Sequence, residues 1–237
     1  MAKIMKKTKR NKILQKKSVL SPPTLFRLTV CHQVAMRAGE NGLENISSAY
    51  LADFLKADET LIRKDMSIVG IKGKPKVGYP TGQIISVLEK AIGISQYTDG
   101  ILIGCGSLGS ALLRYPGFAK YGLRISAAFD IDPAKVGQRI GDYLVLPIEK
   151  CKSIIETFNV QAAIFTIPAG VAQELADWMV SRGIKAIWNF APVQLKVPQG
   201  IILRNENFAV GLAQLIHQVH ASAAKPKPRW KHKENEL

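Results

Sequence analysis

The stretch ILIGCGSLGS, residues 101–110, constrains the fold of this 237-residue chain more than any other feature. A short apolar run ends there in three glycines, at positions 104, 106 and 109. In a strand–turn–helix unit that binds a dinucleotide, the first glycine permits a sharp turn and the second lets the backbone approach the pyrophosphate. The third lets the helix pack closely on the strand, and the helix N-terminus favours the phosphate charge. The predicted pyrophosphate loop comprises Gly104, Cys105, Gly106, Ser107, Leu108 and Gly109.

A second predicted strand, LRISAAFD, ends at Asp130, which lies 21 residues after Gly109. A carboxylate at this spacing is suited to hydrogen-bond the hydroxyls of an adenosine ribose and to repel a 2′-phosphate. We therefore expect the cofactor to be NADH or NAD+ rather than NADP(H). Asp130 and the adjoining Ile131 are predicted to lie at the ribose.

Strands and helices continue to alternate after Asp130, through VQAAIFTIP, AGVAQELADWMVSRG and IKAIWNFAP. Helices of this length between strands indicate an α/β domain with a doubly wound parallel sheet of the Rossmann type. Its ligand crevice lies at the carboxyl ends of the strands. These ends add four residues to the predicted cofactor site: Thr166, Pro168, Asn189 and Phe190.

The acid–base chemistry of hydride transfer is missing from these strand ends. An oxidoreductase needs a group such as His near the nicotinamide, and the histidines stand elsewhere, at positions 32, 217, 220 and 232. The pocket is therefore predicted to sense the cofactor rather than to serve an enzyme. An NAD-dependent oxidoreductase or a nucleotide-binding subunit is the alternative. No metal site is expected, because His217 and His220 have no Cys or carboxylate near them in sequence.

The segment SSAYLADFLKADETLIRKDMSI has the pattern of a helix-turn-helix. Either Ser47 or Ser48 can cap a first helix, and Asp58 can cap a second helix over residues 59–68. The two serines begin the first helix and are included among the predicted DNA-binding residues.

Two basic regions predict contact with double-stranded DNA. The second helix is expected to expose Arg63 and Lys64, where a recognition helix places its groove-reading side chains. The opposite face of that helix is predicted to carry Leu61, Ile62 and Met66. The following segment, GIKGKPKVGYP, places lysines at alternate positions, so that on an extended hairpin they point one way. Such a hairpin is a wing suited to phosphates or the minor groove, and its lysines are Lys72, Lys74 and Lys76.

The net charge of +15 is concentrated at the two ends of the chain. Residues 1–20 carry eight basic and no acidic side chains, and residues 225–237 carry five basic and two acidic ones. Basic tails raise the affinity for any polyanion without reading its sequence. The predicted organisation is a basic disordered tail (1–21), a winged-helix DNA-binding domain with a linking helix (22–95), a Rossmann NAD(H)-binding domain with a C-terminal dimerisation helix (96–222), and a second basic disordered tail (223–237).

Hydropathy and cysteine usage predict a reduced, cytoplasmic protein. No apolar stretch is long enough to span a bilayer, so no membrane partner is expected. The three cysteines have no CxxC spacing. Cys105 stands at a helix N-terminus, an environment that lowers a thiol pKa, so a direct thiol sensor is one hypothesis for it. The alternative is a small side chain tolerated beside the phosphates.

Residues 22–221 together resemble the Rex family of bacterial redox-sensing transcriptional repressors. The stretches that carry the resemblance are IRKDMSIVG, GKPKVGY, GCGSLGSALLRYPGF, FDIDPAKVG, TIPAGVAQELADWMVSRGIKAIWNFAPVQLKVP and NENFAVGL. The resemblance implies a homodimer on an inverted-repeat operator, released from DNA when NADH closes the dimer, with NAD+ competing. It also implies that a C-terminal helix, about residues 208–221, is exchanged between subunits.

The resemblance assigns roles to individual residues as well. Arg63 and Lys64 match the recognition-helix pair, Lys74 matches the basic wing tip, and Tyr115 matches a tyrosine of the switch. Asn207 stands where several relatives have an aspartate, and Gln33 stands where they have its arginine partner. This neutral pair loses the charge-assisted part of a hydrogen bond, so a weakened or retuned redox response is one alternative. Architectural DNA binding with structural NADH is another.

Overall fold

The computed structural model describes residues 20–223, and the chain divides between Gln96 and Tyr97 into two compact units. The two predicted tails therefore lie almost wholly outside the described residues. None of the helices within residues 20–223 is long and apolar enough to cross a membrane.

The first unit is a small helical domain with one short antiparallel strand pair. Its helices are α1 (Pro22–Glu40), α2 (Ser48–Leu55), α3 (Glu59–Ile68) and α4 (Thr81–Ile92), and its strands are β1 (Asn45–Ile46) and β2 (Tyr79–Pro80). Their buried apolar faces share one core, whose large side chains include Leu28, Ile46, Leu51, Ile62, Met66, Ile84 and Leu88. Burial of each such side chain contributes about 1.5–3 kcal/mol, so the core holds α3 against its neighbours.

Polar caps begin the two helices of the predicted helix-turn-helix. The Ser47 hydroxyl accepts a hydrogen bond from the Tyr50 N–H at 3.0 Å, and the Asp58 carboxylate accepts one from the Thr60 N–H at 2.7 Å. Of the two serines considered as caps for α2, Ser47 is the one that caps it. Lys56 adopts a left-handed conformation at φ 47° and turns the chain from α2 towards α3. The helix-turn-helix prediction is thus confirmed.

A buried ion pair ties α3 to α1. The Arg27 guanidinium donates to both carboxylate oxygens of Asp65, from Nε at 2.5 Å and from Nη2 at 2.9 Å. The Asp65 side chain is only 3% exposed. This carboxylate depends on its partner, because an unpaired buried charge is strongly destabilising.

The wing differs from its predicted form. The expected extended hairpin is replaced by a tight loop closed by one bridge, in which Lys74 and Gly78 exchange backbone hydrogen bonds of 2.7 and 2.9 Å. Lys76 has a φ of 62°, in the left-handed region, so the strand alternation that would align the lysines is broken. Leu61 also departs from its predicted core position, being 37% exposed. The loop is short because Pro75 and Lys76 turn the chain at once.

The second unit contains a seven-stranded sheet with helices between its strands. Its strands are β3 (Thr98–Ile103), β4 (Leu123–Asp130), β5 (Arg139–Ile140), β6 (Tyr143–Pro147), β7 (Ala162–Phe165), β8 (Ala186–Asn189) and β9 (Ile202–Asn205). Its helices are α5 (Ser107–Leu113), α6 (Gly117–Lys120), α7 (Cys151–Phe158), α8 (Ala169–Val180) and α9 (Phe208–Ala223), with a 3₁₀ turn at Ile148–Lys150.

The strand order, β5-β6-β4-β3-β7-β8-β9, is that of a doubly wound sheet. All neighbours pair in parallel except β5 with β6. The chain order reverses at β3, between β4 and β7, and ligands of such sheets bind outside the carboxyl ends of the strands at that point. The predicted fold class, a Rossmann-type parallel sheet preceded by a helical domain, is confirmed.

Helix α9 leaves its apolar side chains exposed. Phe208, Val210, Leu212, Leu215, Ile216 and Val219 are each between 44% and 66% exposed. All of them except Val210 share one side of the helix, and an exposed apolar surface of this kind marks an interaction site. The exchange of α9 between subunits remains a prediction.

Candidate functional site

The glycine loop connects β3 to α5 and is shaped by its contacts with the chain after β7. Gly104 has a φ of 94°, and a Cβ added there would stand 2.6 Å from the Thr166 carbonyl oxygen. A Cβ at Gly109 would overlap the carbonyl oxygen of Gly104 and stand 2.8 Å from Thr166 Oγ1. The packing of the protein itself thus requires glycine at both positions.

Gly106 differs from these two glycines. Its φ is −72°, which any residue can adopt, and an added Cβ would have no protein atom within 4 Å. A glycine that neither the backbone nor the packing requires leaves open space above the loop backbone. A pyrophosphate lying against the start of α5 needs that space.

A cavity of about 840 Å³ adjoins the loop at the carboxyl ends of β3, β4 and β7. Its volume falls within the range of about 300–1,000 Å³ that is usual for cofactor sites. It is lined by Ile103, Gly104, Gly106, Asp130, Ile131, Asp132, Lys135, Ile148, Glu149, Thr166, Ile167, Pro168, Val171, Glu174, Leu175 and Trp178. The lining is thus an apolar slot between α8 and the end of β4, with Asp132 and Lys135 beside Asp130 and with Glu149 and Glu174 also in the lining.

Six of the twelve residues predicted for the cofactor line this cavity, and six do not. Those in the lining are Gly104, Gly106, Asp130, Ile131, Thr166 and Pro168, and those outside it are Cys105, Ser107, Leu108, Gly109, Asn189 and Phe190. The first group lies at the carboxyl ends of β3, β4 and β7. Ser107, Leu108 and Gly109 form the first turn of α5 instead.

Asp130 holds the glycine loop in place. Its carboxylate accepts hydrogen bonds from the Cys105 N–H at 2.7 Å, the Asp132 N–H at 2.9 Å and the Lys135 ammonium at 3.1 Å. Burial by itself raises the pKa of Asp130, but these three donors outweigh burial and hold the pKa below its ordinary value. The carboxylate is therefore ionised at neutral pH and joins β4 to the loop after β3.

Asn189 has a structural partner at each end of its amide. Its oxygen accepts from the Ala191 N–H at 3.0 Å, while its nitrogen donates to the Val193 carbonyl and to Asn205 Oδ1, both at 2.8 Å. The side chain is fully buried. Asn189 thus joins β8 to β9 and shapes the turn that follows β8.

A row of aromatic rings runs from Tyr115 to the start of α9. Successive ring centroids are separated by 5.1 Å from Tyr115 to Phe118, 5.7 Å to Trp188, 4.8 Å to Phe190 and 6.1 Å to Phe208. Such edge-to-face and tilted contacts stabilise the packing beyond the area they bury. Two residues predicted from the resemblance, Tyr115 and Phe190, therefore belong to one continuous aromatic row.

The predicted switch pair, Gln33 and Asn207, is divided between the two units. Asn207 Oδ1 accepts from the Ala209 N–H at 3.0 Å and so caps α9. Gln33 is exposed on α1. Burial contradicts the thiol-sensor hypothesis for Cys105, which requires a lowered thiol pKa. Cys105 is buried, and burial raises its pKa to about 11, because a thiolate is poorly solvated there.

Sequence reasoning missed several cavity residues. Lys135 and Asp132 follow Asp130 in the motif FDIDPAK, and a lysine five residues after the predicted ribose acid could have indicated an ion pair at the end of β4. Val171, Leu175 and Trp178 share one face of α8 at spacings of four and three residues. Glu149 and Glu174 carried no signal, because their place in the lining depends on how α8 and the 3₁₀ turn pack. Among the described residues, no group of three His, Cys, Asp or Glu side chains could hold a metal ion.

The recognition helix α3 presents its basic residues as predicted, and one of them is held in place. Arg63 forms an ion pair with Glu59, and its Nε donates to the Ser48 hydroxyl at 3.2 Å. The Ser48 hydroxyl in turn donates to the Glu59 carboxylate at 2.6 Å. Arg63 remains 58% exposed and Lys64 is exposed beside it. This arrangement orients a guanidinium towards solvent from the face of a helix-turn-helix.

The comparisons with known proteins match both units. Residues 95–193 match the model of the CoA binding domain family. The redox-sensing transcriptional repressor Rex of Treponema denticola is 38% identical over 202 residues, covering 85% of this chain and 96% of that protein. The chain belongs to the Rex family. The Rex of Bacteroides fragilis is 34% identical, covering 90% of this chain and 97% of that protein.

Solved Rex-family structures agree with this assignment. The structure of RSP, a Rex-family repressor, in complex with β-NAD+ and operator DNA has a TM-score of 0.80 at 32% identity, covering 87% of this chain and 95% of that one. The complex of RSP with β-NADH has a TM-score of 0.79 at 31% identity, covering 87% and 97%. Similarity of this extent takes in both the helix-turn-helix unit and the Rossmann unit of this Rex-family chain.

Proposed function

We propose that this chain is a transcriptional repressor that senses the NADH/NAD+ ratio and binds an inverted-repeat operator as a homodimer. The observation that carries the proposal is the open space above Gly106, beside a cavity of cofactor size, in a chain that also has a helix-turn-helix. Relatives named for repression, and a similar structure in complex with β-NAD+ and operator DNA, support it. Because its proposed partner is chromosomal DNA, we place the protein in the cytoplasm.

The residues of the cavity fit a dinucleotide. The N–H groups at the start of α5 would take the pyrophosphate, and Asp130 with Lys135 would hold the ribose hydroxyls. The apolar slot of Val171, Leu175 and Trp178 suits a flat base. When bound, NADH would stabilise one arrangement of the dimer more than the other, and it would not transfer a hydride. Lys135, the one cation among the described residues of the lining, is ion-paired with Asp130 and Asp132, so these three charged groups are suited to binding a ligand.

The remaining predicted residues have a place in this function. Ser47, Arg63 and Lys64 would contact DNA from the helix-turn-helix, whereas Ser48 is buried and would act by holding Arg63 in place. The loop with Lys72, Lys74 and Lys76 would contact phosphates. The apolar side of α9 would form the dimer interface, which matches protein symmetry to an inverted repeat. The aromatic row from Tyr115 to Phe208 would link the cofactor unit to that interface.

Fluorescence anisotropy tests the proposal. A labelled inverted-repeat duplex and a scrambled duplex are titrated at physiological salt, alone and with NADH or NAD+. We expect the repeat to bind about 10³-fold more tightly or better, with NADH releasing it and NAD+ not. Arg63→Ala should weaken repeat binding by about 1–3 kcal/mol, while Lys90→Ala on α4, a matched loss of an exposed cation, should not. Equal binding of both duplexes, unaffected by NADH, would contradict the proposal.

A second candidate, a Rex-family DNA-binding protein with a weakened redox response, is favoured by one observation. Asn207 and Gln33 are neutral, and the Asn207 side chain already caps α9. The double variant Gln33→Arg with Asn207→Asp would restore the charges. If NADH releases operator DNA more steeply from the double variant than from the natural chain, the weakened response is the better description. Equal steepness would exclude it.

A further inference from the structure

One lysine lies between two carboxylates in the cavity. Lys135 Nζ is 3.1 Å from Asp130 Oδ2 and 3.5 Å from Asp132 Oδ2, and all three residues line the cavity. The side chains of Lys135 and Asp132 are partly exposed, at 37% and 43%, while Asp130 is 6% exposed. The ammonium thus stands where a bound ribose would lie, if the end of β4 holds the ribose as it does in other dinucleotide folds.

The charge of this cluster bears on which nucleotide can bind. A lysine is a compact cation that commonly binds phosphate, so an unpaired ammonium here would attract a 2′-phosphate on the ribose. Two carboxylates and one ammonium give the cluster a formal net charge of −1. The hydrogen bond to Asp130 raises the pKa of Lys135, so the lysine stays charged within the cluster. A 2′-phosphate would therefore meet a net negative charge at close range.

The two carboxylates are not equivalent. Asp130 is tied to the glycine loop through the Cys105 N–H and to the next turn through the Asp132 N–H, so its removal would disturb the loop itself. The Asp132 carboxylate accepts one hydrogen bond from the Ala134 N–H at 3.0 Å, and an asparagine can make the same bond. The charge at Asp132 can therefore be removed without removing the local cap.

We propose that Asp132, through its ion pair with Lys135, is the residue that excludes nucleotides with a 2′-phosphorylated ribose from this cavity. The proposal rests on the proposed function, since it assumes that the cavity holds the adenosine half of a dinucleotide. Asp130 has the ribose-acid position in the sequence, but the exclusion depends on its exposed neighbour. Without the charge of Asp132, Lys135 keeps its ion pair with Asp130, but the pair has no net negative charge to repel a 2′-phosphate, and the ammonium can also bind that phosphate.

The test measures dissociation constants of NADH and NADPH, and of adenosine 5′-monophosphate and adenosine 2′,5′-bisphosphate, for the full chain by titration calorimetry. We expect Asp132→Asn to shift the NADPH/NADH affinity ratio at least about tenfold towards NADPH. Asp132→Ser retains a capping oxygen and should shift the NADPH/NADH affinity ratio in the same direction. It controls for any effect of the asparagine side chain itself. The affinity for adenosine 2′,5′-bisphosphate should rise in parallel, relative to that for the monophosphate, which would place the effect at the 2′ position.

Two controls make the assignment specific. Asp142→Asn removes an exposed carboxylate that is not part of the cavity lining and should leave the ratio unchanged. Adding Lys135→Met to Asp132→Asn should abolish the gain, because the ammonium is its source. An unchanged ratio in both Asp132 variants, or a gain that survives Lys135→Met, would overturn the proposal. If the natural chain binds NADH but Asp132 has no effect, this inference alone fails, whereas absence of NADH binding by the natural chain refutes the proposed function itself.

Discussion

Substitution of Gly106 by alanine tests whether this glycine is required for the stability of the free protein or for ligand binding. In the free protein the added methyl group meets no atom within 4 Å, and the φ of −72° suits alanine. Replacing a glycine at a compatible position stabilises by about 0.4–1 kcal/mol through the unfolded chain. Losing a glycine helix cap costs a similar amount. The free energy of unfolding of the free protein should therefore change by less than about 1 kcal/mol.

The effect on the bound state should be much larger. A methyl group in the space that a pyrophosphate needs would separate the phosphate from the loop N–H groups, and a loss of about 1.4 kcal/mol weakens binding tenfold. At a concentration of 100 times the original dissociation constant, NADH stabilises the folded state by about 2.7 kcal/mol. After a tenfold loss, the same concentration contributes only about 1.4 kcal/mol.

Urea unfolding with and without NADH measures both quantities at once. Gly109→Ala is the contrasting variant, because its methyl group would overlap the Gly104 carbonyl oxygen and should destabilise the free protein itself. If Gly106→Ala retains the full stabilisation by NADH, the loop does not bind the pyrophosphate and the reasoning is refuted. Unfolding of the free Gly106→Ala protein would refute the statement that a methyl group at this position meets no protein atom.

Three further predictions concern the rest of the molecule. Arg27→Met strands the buried Asp65 carboxylate and should cost about 3–5 kcal/mol in urea unfolding, most of which the double variant with Asp65→Leu should recover. Because burial raises the pKa of Cys105 to about 11, its thiol should resist alkylation at pH 8, and rapid labelling of the folded protein would contradict this. The protonated thiol should contribute fully to the free energy of unfolding below the unfolded-state pKa near 9. That contribution should be lost as the pH rises through 11. If α9 forms the proposed dimer interface, Leu215→Glu should yield monomers in analytical ultracentrifugation and weaken operator binding, whereas Gln214→Glu, the same charge on α9, should do neither.

Local features were predictable from the sequence. The glycine spacing at 104, 106 and 109 and the caps at Ser47 and Asp58 depend on residues close together in the chain. Alternation of apolar strands with helices indicated the parallel sheet for the same reason, since each element buries a face set by its own periodicity. The family resemblance added a predicted role for Tyr115, which periodicity cannot assign.

Contacts between distant segments decided the rest. The wing became a tight loop because Pro75 and Lys76 turn the backbone before a strand can form. The Cys105 thiol acquired a raised pKa because its burial outweighs the helix N-terminus that the sequence suggested. Lys135 reached two carboxylates because the turn after β4 folds back on the strand end. Sequence alone therefore determined most of the helices and strands and the glycine loop between β3 and α5, since these follow from local conformational preference. Only the tertiary structure decided which charges meet in the cavity, since burial and charge pairing depend on segments that folding brings together.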